Sequence, residues 1–256
     1  MARIGVVKSS TWKSIINWAG GSLTGIYLIC MIIAPWITAG GDWDKVQMVW
    51  DRWQAFNVGV LAFLSSVIAL NISIFNERRQ RERNFIAARA FLPEALSELT
   101  SYFKSSSTLL KEAWEKVSNS DKTPLNAIVP ALPAGYKETF SRCIELAEPD
   151  VSEHLAKILM HLQVHHSRMQ DLVNNFCGGR MVIVPSNLIS YLYSLSELQA
   201  LTNRTFEFAR GIGELDCNSL EWEDFLNAYS NLGILVDNFN DLTGFTQRAI
   251  ARNSSG

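Results

Sequence analysis

Residues that commonly build metal and redox centres are scarce in this sequence. It contains only four histidines and four cysteines among 256 residues. The cysteines are Cys30, Cys143, Cys177 and Cys217, and no two of them form a C-x-x-C pair. This spacing fits neither a disulfide framework nor a zinc site, and isolated thiols are typical of a reducing, cytosolic environment. We expect neither a metal nor a cofactor.

The short motifs of common enzyme classes are also missing: there is no P-loop, no G-x-S-x-G and no H-E-x-x-H. All four histidines fall on one predicted helix, where the four-residue spacing of His161 and His165 would allow a shared metal ion. No third ligand is evident, and His165 falls on the apolar face of that helix. We therefore interpret His165 as a core residue, with metal binding or a pH-sensitive contact as alternatives. No catalytic residue is predicted, and we expect a non-enzymatic protein.

Charged side chains are few, at 19% of the sequence against about a quarter in ordinary soluble domains. Their distribution is uneven, because residues 92–256 hold 20 acidic and 13 basic residues, a net charge of −7. Nucleic-acid binding requires clustered lysine and arginine, so this acidic part argues against a nucleic-acid partner. We attribute the acidic group Glu221, Glu223 and Asp224 to helix-dipole compensation rather than to acid–base catalysis.

Two stretches, residues 18–39 and 55–75, contain no charged residue at all. Each approaches the roughly 20 apolar residues that a helix needs to cross about 30 Å of hydrocarbon. Tryptophans border both stretches, as expected at the headgroup level of a bilayer. The sequence therefore predicts a transmembrane hairpin over residues 18–75, with Pro35 kinking or ending the first span. Two buried helices of a soluble protein, or a cleaved signal peptide in the first stretch, are the alternatives; Ile37 makes a poor cleavage site.

Basic residues precede the first span of this hairpin and follow its second span. Arg3, Lys8 and Lys13 lie in the segment 1–17, and an arginine-rich segment, 76–92, follows the second span. The connecting loop has two basic residues against three aspartates. Because basic residues favour the cytoplasmic side, we expect a multi-pass protein of the inner, cytoplasmic membrane with both termini in the cytoplasm.

The segment 76–92 is predicted to continue the second helix out of the bilayer. Its arginines lie where anionic headgroups are expected, and each is worth about 1 kcal/mol near the membrane surface. They either set the topology alone or also bind lipid headgroups. The arginines are Arg78, Arg79, Arg81, Arg83 and Arg89.

Small residues recur in the second span at alternating steps of four and three. They are Ala55, Gly59, Ala62, Ser66, Ala69 and Ser73. This spacing follows a heptad seam, and the first span contributes Gly21 and Gly25 in a G-x-x-x-G motif. Small residues allow two helices to approach closely within a membrane. The stripe therefore either packs the hairpin within one chain or forms a seam between copies, in which case the protein self-associates.

Residues 93–256 are predicted to form a cytosolic antiparallel helical bundle, so that the whole chain is all-α. Pro93 begins a first helix, a proline-rich loop covers 118–135, and a short helix covers 136–147. A long helix follows with Asp150 and Glu153 at capping-box spacing, and Ser186 or Asn187 caps the next one. Two final helices are expected at 220–231 and 234–252, and 181–185 is left open as a short edge strand.

The stretch "ARAFLPEALSEL", residues 88–99, follows an arginine-rich segment after two apolar stretches. In this arrangement it resembles a pattern found in uncharacterised bacterial membrane proteins. The resemblance implies a two-span layout in the inner membrane and implies no activity, cofactor or catalytic residue.

These features favour an anchor, scaffold or sensor whose cytosolic helical domain binds a protein partner or a small ligand. The alternative is a membrane-perturbing oligomeric effector or pore of a bacterial defence or toxin system. The basic residues beside the spans and the absence of charge within them are common to both hypotheses. Either function would involve the lipid bilayer and self-association.

Overall fold

The computed structural model describes residues 18, 22, 25–121, 123–176 and 184–254. Every regular element among them is helical, which confirms the all-α prediction. In chain order the helices are α1 (Gly25–Thr38), α2 (Trp43–Arg52), α3 (Gln54–Arg89), α4 (Leu92–Ser118), α5 (Tyr136–Leu146), α6 (Pro149–Asn175), α7 (Pro185–Ala209), α8 (Trp222–Leu232) and α9 (Leu242–Ser254). Residues 177–183, which include Cys177 and most of the stretch left open as a strand, lie outside the described residues.

The chain divides into two compact units, Met1–Asn76 and Glu77–Gly256. We call them the apolar unit and the helical domain. Helix α3 belongs to both, because it runs without a break from Gln54 to Arg89. Continuation of the second predicted span into the arginine-rich segment is therefore confirmed, as far as Arg89.

Among the described residues, one helix is long and apolar enough to cross a membrane. Its apolar part is residues 55–75 of α3, which we call the apolar segment. Helix α1 is apolar but shorter than a span requires. Of the residues before it in the first predicted span, only Trp18 and Ser22 belong to the described part of the chain.

Helix α1 contains a π-helical turn, Ile29–Ile33, which ends two residues before Pro35. Proline has no N–H, so the carbonyl of Met31 lacks the donor that an α-helix would supply four residues later. The indole N–H of Trp50, on α2, donates to this oxygen over 2.8 Å. Rather than ending the helix, Pro35 is accommodated by a π turn and by a side chain from the next helix.

In the helical domain, prolines mark the beginnings of three helices. Pro93, Pro149 and Pro185 each lie in the first turn, at the start of α4, α6 and α7 respectively. The N–H groups of a first helical turn have no intrahelical partner, so a residue without an N–H loses nothing there.

The side-chain caps predicted for α6 and α7 are wrong. Helix α6 begins at Pro149, so Asp150 lies inside its first turn, and the N-cap position belongs to Glu148. Helix α7 likewise begins before both of its predicted caps, with Val184 at the N-cap position. Neither N-cap residue makes a side-chain hydrogen bond to its helix. The fixed φ of proline, rather than a capping side chain, starts these helices.

The last predicted helix, 234–252, begins too early. Helix α8 ends at Leu232 and is capped by Gly233, whose φ of +64° is a left-handed conformation that glycine adopts without strain. A 3₁₀ turn, Val236–Asn238, follows, and α9 begins only at Leu242. Ile234 and Phe239 are both buried, although residues five apart would point about 140° apart on an α-helix. An irregular segment can bury both.

The core of the helical domain forms around α7, which contacts α4, α6, α8 and α9. The apolar face predicted for α6 is confirmed, since its members are buried or half-buried against this core. Large aromatic side chains fill the centre, among them Phe103, Phe140, Phe225 and Tyr229. The proline-rich loop is attached to α4 by the Glu112 carboxylate, which accepts the backbone N–H groups of Asn126 and Ala127.

Candidate functional site

The apolar segment exposes its large side chains. Leu61 is 59% exposed and Phe63 is 67% exposed, and no residue of the most apolar window of this helix is buried. Its polar side chains bond within the helix: Ser65, Ser66 and Asn71 each donate to the carbonyl four residues earlier, over 2.8–2.9 Å. The segment thus presents hydrocarbon outward and keeps these polar groups hydrogen-bonded to its own backbone. A helix in lipid needs both properties.

The small-residue stripe of this segment is exposed at all six positions. Apart from its neighbours in the chain and the backbone of its own helical turns, no described heavy atom lies within 4 Å of a Cβ built on Gly59, and the same is true of Gly25 on α1. Gly21 lies outside the described residues. The structure therefore leaves this narrow face open along the helix.

Polar and aromatic contacts join the helices of the apolar unit. The Tyr27 hydroxyl on α1 donates to Asn57 Oδ1 on α3 over 3.0 Å. The rings of Trp36 and Trp43 are 5.7 Å apart, and those of Trp43 and Trp50 are 5.9 Å apart. These contacts bring three of the tryptophans predicted to border the spans into one aromatic cluster.

Arg81 and Arg89, which are among the five arginines predicted at the headgroups, contact residues of the helical domain. Arg81 donates to the carbonyls of Leu146 and Ala147, at 3.0 and 2.8 Å, and so satisfies the end of α5. Arg89 lies over the rings of Phe85 and Phe208. No sequence signal indicates these roles, because the Arg81 partners lie 65 and 66 residues further along the chain.

The other three arginines, Arg78, Arg79 and Arg83, are exposed on α3. Arg81 is exposed as well, so these four arginines are accessible to solvent or to headgroups.

The four histidines of α6 have different surroundings. His154 is buried and its Nε2 lies 3.1 Å from Thr205 Oγ1, while His166 Nδ1 lies 3.0 Å from the Tyr102 hydroxyl. His165 lies in the core, as its position in the apolar face predicted, and neither ring nitrogen has a hydrogen-bond partner among the described residues. Burial lowers the pKa of His165 to about 3, so it is neutral in the folded protein.

His161 does not share the surroundings of His165. Its Nδ1 lies 3.5 Å from Glu197 Oε2, and the Lys157 ammonium lies 3.6 Å from the other oxygen of the same carboxylate. Burial lowers the pKa of His161, and the carboxylate opposes that shift. Among the described residues, no three histidine, cysteine or carboxylate side chains come close enough to hold a metal ion.

The groups around His161 line a cavity of about 730 Å³ in the helical domain. Its polar lining comes from α6, α7 and α9 and from the loop before α8, and its apolar lining includes Leu220, Phe225 and Ile250. The polar lining consists of Lys157, His161, Tyr193, Glu197, Ser219, Arg252 and Asn253. Sequence reasoning missed this site, because its charged residues are 40 or more positions apart and follow no motif.

The acidic group at the start of α8 is structural. Glu221 and Asp224 form a capping box, in which the Glu221 N–H donates to Asp224 Oδ2 over 2.7 Å. Both oxygens of Asp224 also accept hydrogen bonds from Arg204, which in addition holds the carbonyl of Asn218. These contacts fasten the loop between α7 and α8 to α7.

The chain matches no protein-family model, and neither curated proteins nor solved structures include a match to it. Its function must therefore be inferred from its own residues and their geometry. Three features are available for that purpose: the exposed apolar segment, the arginine-rich continuation of its helix, and the charged cavity of the helical domain.

Proposed function

We propose that this protein is a non-enzymatic membrane protein whose apolar segment crosses the bacterial inner membrane and whose helical domain binds a ligand or protein partner in the cytoplasm. The observation that carries this proposal is the single helix α3. Its first part is apolar and exposed, and the same helix continues into five arginines within 76–92. The exposed apolar surface of this helix therefore ends where its arginine-rich part begins.

Exposure of the apolar segment argues against the alternative of a buried core helix. Leaving a leucine or phenylalanine side chain in water costs about 1.5–3 kcal/mol relative to burying it. Leu61, Phe63, Ile68 and Leu70 are all more than half exposed. Something apolar must cover this surface in the native protein, and a bilayer does so along the whole segment.

Two contacts support a hairpin rather than a single span. The Tyr27–Asn57 hydrogen bond and the Trp50–Met31 hydrogen bond join α1 to the helices that follow it. We propose that residues 18–39 form the first span and that both termini lie in the cytoplasm, in accordance with the basic residues at both ends of the hairpin.

The open stripe of small residues supports self-association. Lipid provides no hydrophobic drive between helices, so close backbone approach along small residues is the usual means of association. In the proposed function, copies of the chain meet along Ala55–Ser73.

The exposed stripe also favours a second candidate, an oligomeric effector that perturbs the membrane. A pore requires several copies, and the stripe offers a seam for them. Release of a dye from liposomes that contain the full chain would support the effector, whereas intact liposomes with recoverable oligomers would support the anchor or sensor.

Membrane insertion is tested by placing charge in the apolar segment. The double variant Phe63→Arg and Ile68→Arg should lose membrane integration, because a central arginine costs about 2.5–3.5 kcal/mol on insertion scales. Integration is measured as resistance of the full chain to extraction by alkaline carbonate. Ile86→Arg is a matched control, since Ile86 is also exposed but belongs to the helical domain. Extraction of the unmodified chain as a soluble protein would refute the proposal.

A further inference from the structure

The cavity of about 730 Å³ in the helical domain is positively charged, although its surroundings are acidic. Two basic side chains, Lys157 and Arg252, line it, together with one carboxylate, Glu197. Residues 92–256 as a whole carry a net charge of −7. The lining of the cavity therefore carries a net positive charge, although the domain as a whole is acidic. This local positive charge attracts anions to the cavity.

The carboxylate of Glu197 fixes the position of Lys157 within the cavity. The Glu197 side chain is only 12% exposed, and it contacts both the Lys157 ammonium and the His161 ring. Lys157 itself remains 44% exposed, so it can contact a ligand without leaving Glu197. Arg252 is exposed on α9 and provides a second cation near the Tyr193 hydroxyl.

The rest of the lining is apolar and aromatic. Tyr193 stacks on Phe225 with ring centres 5.2 Å apart and planes 17° apart, and Leu220 and Ile250 lie beside them. The volume falls in the range of about 300–1,000 Å³ that is typical of small-molecule sites. Such sites combine an apolar wall with a few polar groups that fix the orientation of the ligand.

We propose that this cavity binds a small organic anion, a carboxylate or phosphate monoester that carries an apolar group. The anionic oxygens bind Lys157 and Arg252, and the apolar group lies against Leu220 and Ile250. This proposal deepens the ligand-binding part of the proposed function and does not depend on membrane anchoring.

The test is isothermal titration calorimetry of the full chain in non-ionic detergent, with a blank of detergent alone. Four probes test the contributions of the anionic group and the apolar group, which are the two halves of the ligand. They are phenyl phosphate, phenylacetate, inorganic phosphate and benzyl alcohol. At least one of the two organic acids should bind saturably, and inorganic phosphate and benzyl alcohol should bind at least tenfold more weakly, because each lacks one half. The organic acid that binds with the higher affinity shows whether the cavity prefers a phosphate or a carboxylate group.

Matched variants locate the binding. Lys157→Met and Arg252→Met should each weaken the stronger acid by about tenfold, the factor that 1.4 kcal/mol represents. Lys137→Met, an exposed lysine on α5, should leave binding unchanged. All three replace exposed residues, and circular dichroism checks that the variants are folded.

Three results would overturn the proposal: no saturable binding of either acid, equal affinity for inorganic phosphate and the better acid, or equal effects of Lys137→Met and the two cavity variants. Carbonate extraction of the cavity variants should match that of the unmodified chain. Failure of ligand binding and failure of membrane anchoring are thereby distinguished.

Discussion

The apolar unit and the helical domain use the same residue types in opposite ways. Leu61, in the apolar segment, is 59% exposed, whereas Leu99, in α4, is fully buried. Both lie on long helices. In the helical domain an apolar stripe packs against neighbouring helices, whereas the apolar segment is apolar around its whole circumference. A helix that is apolar on every side requires an apolar environment on every side.

The largest expected effect in this comparison is the loss of a core leucine. Leu99→Ala should lower the free energy of unfolding of the helical domain by about 2–5 kcal/mol, because it removes buried methyl groups and leaves a cavity. Leu61→Ala should leave that free energy unchanged. Urea denaturation of the full chain in non-ionic detergent, followed by tryptophan fluorescence, measures both. Equal losses would show that the apolar segment belongs to the same packed core.

A second effect depends on pH and is confined to the helical domain. The pKa of His165 is about 3 in the folded protein, because the ring is buried beside Arg168 and His166, against about 6.5 when unfolded. Below pH 6.5 the unfolded chain binds a proton that the folded chain excludes. Stability therefore falls by about 1.4 kcal/mol per pH unit as the pH drops from about 6.5 toward 3.

The variant His165→Leu should remove this contribution. Between pH 7.5 and pH 5 the unmodified chain should lose about 2 kcal/mol more than the variant, measured by urea denaturation at both values. His154, His161 and His166 also have lowered pKa values and remain in both proteins, so only the difference between the two is diagnostic. Identical pH profiles would mean that His165 is protonated without cost in the folded state.

The smallest effect compares Arg81 with Arg83, which are both exposed on α3 but differ in their contacts with α5. Arg81→Gln should destabilise the helical domain by about 1 kcal/mol, because it removes hydrogen bonds to the end of α5. Arg83→Gln, two residues away and exposed, should not. Thermal unfolding compares the two. Binding to vesicles that contain anionic lipid should weaken with Arg83→Gln if the exposed arginines contact headgroups.

Local features of the fold could be predicted from the sequence where a residue type restricts the backbone. Pro93 and the loop over 118–135 follow from proline chemistry, and the core face of α6 follows from its 4-3 spacing. The caps assigned to Asp150 and to Ser186 or Asn187 were wrong, because a proline nearby already fixed the helix start.

The cavity and the roles of Arg81 and Arg89 could not be predicted, because they depend on tertiary contacts. Lys157, Glu197 and Arg252 meet only after α6, α7 and α9 have packed. No periodicity or motif in the sequence indicates that these three residues line one cavity. The hydrogen bond between Trp50 and the Met31 carbonyl could be predicted only in part. Pro35 indicates that this carbonyl lacks a donor from its own helix, but the packing of α1 and α2 determines which side chain donates to it.

The central claim, that lipid covers the apolar segment, is tested most directly by photocrosslinking. The photoreactive residue p-benzoylphenylalanine replaces either Phe63, which is 67% exposed in the apolar segment, or Leu235, which is 70% exposed in the helical domain. The full chain is reconstituted in liposomes, illuminated and analysed by mass spectrometry. A phospholipid adduct at position 63 and none at position 235 is the predicted result. Equal lipid adducts at both positions, or none at position 63, would contradict it.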